Sequence, residues 1–349
     1  MKTKIYTIDD SNIDPKIINE AGNIIKRGGL VAFPTETVYG LGGDALNADS
    51  ANQIYAAKGR PADNPLIIHL CRITDITTIA VDIPESFYLL AEHFWAGPLT
   101  MILKKSSAVP ASTTGGLNTV AVRMPNHRTA LELIKAAGGF VAAPSANLSG
   151  RPSPTISKYV AEDMDGRIDM IIDGGETRIG LESTIIDLSG SKPEILRPGF
   201  VTKEMIENVI GSRCAYTVDE DIKNTPPRAP GMKYRHYAPK GLITVVIGSE
   251  EEVVSYINEQ IVSDRSAGKI TGVIATEKTK NLYSADRVKN IGDESSDEEI
   301  AHNLYRILRE FDDEVTDVIY SEGFNISGIG QATMNRLLKA ASNKIIEVR

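Results

Sequence analysis

Residues 219–240 read DEDIKNTPPRAPGMKYRHYAPK, and this stretch divides the chain. Four prolines interrupt it, and no apolar residue recurs at helical or strand spacing. Proline lacks an amide donor and moves the residue before it out of the α region, so the stretch reads as a linker. Downstream, residues 242–247, 250–262, 270–275, 297–310, 315–320 and 331–341 alternate strand and helix patterns. That alternation predicts a small parallel sheet with helices on its faces, a second α/β domain over 241–349. The acidic run GDESSDEE at 292–299 leads into the helix after it, where carboxylates favour the positive end of the helix dipole.

Upstream, short β-branched runs at 30–33, 66–70, 100–103, 119–123, 140–143, 170–173 and 183–187 read as strands. Helical patterns fall at 15–26, 48–57, 85–94, 128–137 and 202–210, but some neighbouring strands have only loops between them, as around TTGGLN at 113–118. The N-terminal part is therefore α/β with a mixed sheet. The expected organisation is a first domain over 1–212, a linker over 213–240 and the second domain.

A chain of 349 residues exceeds the length at which single cores stop growing, which agrees with two domains. The net charge of -8 argues against stable nucleic-acid binding, because such affinity rests on Lys and Arg neutralising phosphates. Cys71 and Cys214 are the only cysteines and lie far apart, so no disulfide framework is expected and a reducing compartment fits. No apolar run has signal-peptide or membrane-spanning character, so a cytoplasmic protein is expected.

Several familiar sites are excluded or disfavoured. GLGGDA at 40–45 matches a dinucleotide fingerprint, but the loop-like PTETVY precedes it where a strand is required. No Walker-type phosphate loop and no nucleophile elbow occur. His69 and Cys71 lack a second ligand pair at zinc spacing, so no metal held by protein ligands is expected.

The remaining signals converge on anion binding. KGRPADNP at 58–65 places Lys58 and Arg60 on a loop stiffened by two prolines, and fixed cations lose little entropy on meeting a phosphate. In AAPSANLSGRPSPT at 142–155, Ser145, Asn147, Ser149 and Ser153 present hydroxyls, amides and backbone N–H groups without bulk, which suits a nucleotide or a carboxylate. Arg123 and Arg197 stand at strand ends, where ligands gather in open α/β sheets.

Taken together, these segments resemble the Sua5/YrdC family of threonylcarbamoyl-adenylate synthases. The pattern comprises PTETVYGLG (34–42), KGRPADNPLIIH (58–69), GPLT (97–100), VRMP (122–125), PSANLSG (144–150), STIID (183–187) and LRPG (196–199). The linker PGMKYRHYAP (230–239), followed by a second α/β domain, is similar to the long, two-domain form.

That resemblance implies a twisted YrdC-like α/β domain with a concave face, joined to a smaller Rossmann-like parallel α/β domain, and a transferase reaction of the nucleotidyltransferase class. L-Threonine, bicarbonate or CO2, and ATP would give threonylcarbamoyl-AMP and pyrophosphate, with Mg2+ accompanying the ATP. The product would pass to downstream transferase machinery for the t6A modification at position 37 of tRNAs reading ANN codons. The implied ATP contacts are Lys58, Arg60, Asn64, Thr119, Ser145, Asn147, Ser153 and Arg197, with Lys58 and Arg60 catalytic. The implied threonine contacts are Thr37, His69, Arg123, Ser183 and the backbone near Ala143. Tyr234 and His236 would belong to a lid that folds back over the nucleotide and excludes water.

Two other readings stay open on the residues alone. One is an RNA-binding module with a basic concave surface, disfavoured by the net acidity and the lack of a basic stripe interleaved with aromatics. The other is an accessory domain that handles an adenylate made elsewhere.

Overall fold

The computed structural model describes residues 2–217, 227–230, 232 and 237–349. The chain divides into two compact units, residues 1–149 with 153–234 and residues 150–152 with 235–349. The division falls inside the proline-rich stretch.

In the first unit, twelve strands form one mixed sheet. Its order runs Lys4–Thr7, Met170–Asp173, Val31–Phe33, Gly40–Asp44, Phe140–Ala142, Ile67–Leu70, Thr119–Arg123, Leu99–Lys105, Thr184–Asp187, Glu194–Arg197, Ala215–Tyr216, with Ala80–Val81 paired to Leu99–Lys105. Parallel and antiparallel pairings alternate irregularly across it, because some connections are helical crossovers and others are loops.

The central strands bury both faces, and side-chain alternation decides what each face carries. Ile68, Val122, Val120, Met101, Leu103 and Ile186 turn one way into the main core, with Phe87 and Leu90 of the helix Glu85–Phe94. Ile67, Ala121, Ile102 and Ile185 turn the other way into a small apolar cluster with Leu196 and Ala229. Ala229 and Met232 belong to the proline-rich stretch, so these two residues pack onto the second face of the sheet.

Local chemistry sets the helix ends. Asp14 caps Pro15–Lys26 by accepting from the Lys16 amide, and Asn47 caps Ala48–Lys58 by accepting from the Asp49 amide. Gly59 closes the latter helix with φ 61°, a left-handed conformation that glycine adopts without strain.

Three expectations change. Lys58 is the last helical residue, not part of the loop, because the prolines act only from position 60 onward. GLGGDA, disfavoured as a fingerprint, holds a strand absent from the sequence reading, Gly40–Asp44, antiparallel to Val31–Phe33 and Phe140–Ala142. The short edge strands Lys4–Thr7 and Ala215–Tyr216 are missing from the sequence reading, because half-exposed edges carry no apolar run.

The second unit holds a five-stranded, all-parallel sheet in the order Arg287–Asn290, Thr271–Ala275, Val318–Glu322, Leu242–Ile247, Ile345–Glu347. Its helices are Glu250–Ser266, Asp297–Asp313 and Gly328–Ala340. Ser249 and Glu252 form a reciprocal capping box, and Ser296 caps the helix that the acidic run enters. The expected strand at 315–320 lies at Val318–Glu322 instead, because the preceding helix extends to Asp313 and Val315 turns the chain with φ 53°. Among the described residues no helix is long and apolar enough to cross a membrane.

Candidate active site

The site lies on the sheet face that carries the small apolar cluster. His69 shares that face with Ile67, and the register sets it opposite Arg123, which shares it with Ala121. Ser183 is in step with Ile185. Polar residues thus ring an apolar floor.

At one end of this ring, Arg123 is 4% exposed and its guanidinium lies 2.9 Å from the Glu36 carboxylate, which is 3% exposed. Arg123 also donates from Nε to the Gly97 carbonyl at 3.3 Å. Burial, with the positive Arg123 beside it, pushes the His69 imidazole down to about 3. His69 is therefore neutral, held through Nδ1 and the Ile67 carbonyl at 3.2 Å. The same Ile67 carbonyl accepts the Ala143 amide at 2.9 Å, which brings Ala143 to His69.

Thr37 is fully buried in the loop PTETVY, its hydroxyl 2.9 Å from that of Thr35. The Thr37 carbonyl accepts from Gly180 and the Glu36 carbonyl from Ile179. Tyr39 exchanges backbone bonds with Ala146 and Pro154, so the loop is laced to both neighbouring loops.

At the other end, Arg197 donates to the Ser183 carbonyl from Nε at 3.1 Å and from Nη2 at 2.9 Å. Ser183 Oγ lies 2.7 Å from Thr100 Oγ1 and accepts from Arg197 Nη2 at 3.2 Å. Arg197 Nη1 also donates to the Pro230 carbonyl at 3.4 Å. The proline-rich stretch is thereby tied to the site by Arg197 as well as by Ala229.

Lys58 reaches the SAN loop from the helix end. Its Nζ donates to the carbonyls of Ser145 and Asn147, both at 2.5 Å, and lies 3.4 Å from Asn147 Oδ1. The ammonium is thus committed to shaping this loop rather than projecting from it. Ser145 Oγ donates to Asn147 Oδ1 at 2.5 Å, and Ser153 donates to Glu182 at 2.6 Å.

Arg60 folds back on its own loop, donating to the Asn64 carbonyl at 3.2 Å and the Pro65 carbonyl at 2.9 Å. Asn64 is 1% exposed and its Oδ1 accepts no hydrogen bond among the described residues. Gly115 supports this loop from beneath, where a Cβ would stand 2.8 Å from the Asp63 carbonyl.

The structure therefore links the expected residues in groups, His69 with Arg123 and Ala143 through the sheet register and the Ile67 carbonyl, Ser183 with Arg197, and Lys58 with Ser145 and Asn147, while Thr37 follows Glu36 and Ser153 bonds to Glu182. Thr119 stands apart, four residues or about 13 Å along its strand from Arg123 though on the same face. Tyr234 and His236 lie outside the described residues. Among the described residues no group of three or more His, Cys, Asp or Glu could hold a metal.

The sequence reading missed Glu36, Thr100 and Glu182. Glu36 had a signal, since a lone carboxylate between Thr35 and Thr37 in an apolar stretch needs a buried partner. Thr100 and Glu182 had none, because their partners come from other loops.

Two family models match the chain, one described as telomere recombination (Sua5, YciO, YrdC) over residues 23–199 and one as the C-terminal domain of threonylcarbamoyl-AMP synthase over residues 201–342. The Pyrococcus abyssi threonylcarbamoyl-AMP synthase is 50% identical over 95% of this chain and 96% of its own length. The Bacillus subtilis threonylcarbamoyl-AMP synthase is 46% identical over 99% of this chain and 100% of its own. The crystal structure of P. abyssi Sua5 complexed with L-threonine superimposes with a TM-score of 0.94 at 48% identity, covering 99% of this chain and 100% of that one.

Proposed function

The chain belongs to the Sua5/YrdC family in its two-domain form, and from that premise we propose that it makes threonylcarbamoyl-AMP from L-threonine, bicarbonate and ATP. The reaction is a nucleotidyl transfer. Threonine is the substrate with direct support, since a relative 48% identical in sequence was crystallised with it.

The observation that carries this reading is the bonding of Arg197 to Ser183, a residue assigned to ATP bonded to one assigned to threonine. A carbamate formed on the threonine nitrogen is an anion, and it must attack the α-phosphorus of a nucleotide already rich in negative charge. Fixed cations around that approach suppress repulsion and stabilise the transition state. Arg123 and Arg197, each 4% exposed, supply such charge with little reorganisation.

The threonine amino group loses a proton and adds to bicarbonate, releasing water. The carbamate oxygen then attacks the α-phosphorus and pyrophosphate leaves. Arg123 orients the amino-acid carboxylate, Lys58 holds the Ser145 and Asn147 backbone in shape for the nucleotide, and Arg60 with Asn64 meets the phosphates. The metal enters as Mg-ATP, carried by the substrate. Catalysis of this kind is positioning and electrostatics without a covalent enzyme intermediate.

Water would hydrolyse both carbamate and adenylate, which is why cover over the face is expected. Ala229 and Met232 against the apolar floor, with Pro230 on Arg197, support that role for the stretch. The product passes to a transferase acting on tRNAs that read ANN codons, and the two free cysteines, Cys71 and Cys214, agree with a cytoplasmic setting.

The test is an incubation with ATP, Mg2+, bicarbonate and labelled threonine, followed for threonylcarbamoyl-AMP and pyrophosphate. Product that requires all three substrates supports the reading, and pyrophosphate release independent of bicarbonate overturns it.

A further inference from the structure

The second unit contains a cavity of about 470 Å³ that the adenylate chemistry does not use. It opens at the carboxyl ends of the parallel strands, where Val246 and Ile247 end one strand, Thr276 follows a second and Glu322 ends a third. The strands Leu242–Ile247 and Val318–Glu322 are neighbours, yet their connections leave in opposite directions across the sheet. The first runs through Glu250–Ser266 to Thr271–Ala275, and the other through Gly328–Ala340 to Ile345–Glu347. Such a switch point splays the two loops apart and leaves a crevice that α/β sheets use for ligands. Its volume falls in the range of about 300–1,000 Å³ usual for small-molecule pockets.

The lining decides which ligand. Phosphate sites at such crevices rely on helix N-termini and cations, and both are opposed here. The helix Glu250–Ser266 carries Glu250, Glu251 and Glu252 in its first turn, and among the described residues lining the cavity none is Lys, Arg or His.

Instead, Glu322 forms part of the wall at 8% exposure. Its Oε1 accepts from the Tyr283 hydroxyl at 2.6 Å and its Oε2 from the Thr276 amide at 3.2 Å. Both donors are neutral, and among the described residues no cation pairs with Glu322. A buried carboxylate without a cation is costly, so the site lacks a positive charge.

At the rim, Glu250 and Glu294 share the ammonium of Lys278, at 2.5 Å and 3.7 Å. The chain's own lysine thus shows that these carboxylates are spaced to take an ammonium. Between rim and Glu322 the walls are apolar, with Ile300, Phe324, Met334 and Leu338.

We propose that this crevice binds a small organic cation, a primary ammonium on an apolar body, with the ammonium at Glu322 and the body against Ile300, Phe324 and Met334. This site is separate from the threonine and nucleotide residues and does not depend on their reading.

The experiment titrates full-length protein by calorimetry with n-hexylamine, n-hexanol, hexanoate and AMP, at a pH where the amine is protonated. Saturable hexylamine binding is expected, with hexanol and hexanoate at least 10-fold weaker. Glu322→Gln keeps the neutral hydrogen-bonding shape but removes the charge, and should weaken hexylamine at least 10-fold. Ile326 lines the mouth at 75% exposure, so Ile326→Arg leaves the fold intact, and its guanidinium should weaken hexylamine as well. The proposal is overturned if hexylamine does not saturate, if hexanoate or AMP binds as tightly, or if neither variant weakens the amine.

Discussion

Glu36 and Arg123 come from segments far apart in sequence and meet as an ion pair of 2.9 Å with both side chains closed to water. The pair lies beside His69, which the sheet register sets opposite Arg123. Burial, and after it the positive Arg123, makes His69 harder to protonate.

Breaking the pair from one side leaves a buried charge uncompensated, which costs about 3–5 kcal/mol. Glu36→Ala should therefore lower stability by about that amount and Glu36→Gln by less. The double variant Glu36→Leu with Arg123→Met should recover stability while product formation stays absent. Urea unfolding and the product assay check both halves, and an active double variant would show that Arg123 is only structural.

Lys58 holds two carbonyls of the SAN loop at 2.5 Å each. Lys58→Ala releases the loop, so kcat/KM for ATP should fall by about 10²–10³-fold, the usual loss for a preorganised electrostatic group. Lys58→Arg should not rescue it, because a planar guanidinium cannot replace a compact ammonium between two carbonyls. Steady-state kinetics with varied ATP measure this, and unchanged turnover in Lys58→Ala would remove Lys58 from the machinery.

His69 sits near 3 in the fold against an ordinary value of 6.5. The unfolded chain then takes up a proton that the folded chain refuses, so stability is lost as pH falls from about 6.5 toward 3, by at most about 1.4 kcal/mol per pH unit. Burial lowers His127 as well, which adds in the same direction. Melting temperatures between pH 7 and pH 4 should fall less steeply for His69→Asn than for the parent. Parallel curves would show that His69 titrates normally.

Ala229 is fully buried on the apolar floor with Ile67, Ile102, Ala121 and Ile185. Ala229→Glu would bury an unpaired carboxylate, so the stretch should lift from the face. Turnover to threonylcarbamoyl-AMP should drop while AMP from hydrolysed adenylate rises, as water gains entry. Truncation after Lys223 should do the same, and a truncated chain matching the full-length rate would rule out a covering role.

Much of this molecule was legible in order along the chain. The helix 15–26 and the strands 119–123 and 242–247 could be read because each carries its own periodicity, cap or apolar run. Lys58 was not legible as helical, since the prolines after it mask the last turn. Thr119 and Arg123 were assigned to different substrates, and the rise of their shared strand sets them four residues apart on one face.

The sequence by itself determined two α/β units and the family, since periodicity and motif order are properties of the chain. Tertiary structure decided which charges are satisfied and by whom. Glu36 with Arg123, Lys58 on the SAN carbonyls, Arg197 on Ser183 and Pro230, and Glu322 without a cation depend on groups between 14 and 89 residues apart or on the absence of one. Such pairings arise from sheet register and loop closure, which bring together segments whose local patterns carry no record of each other.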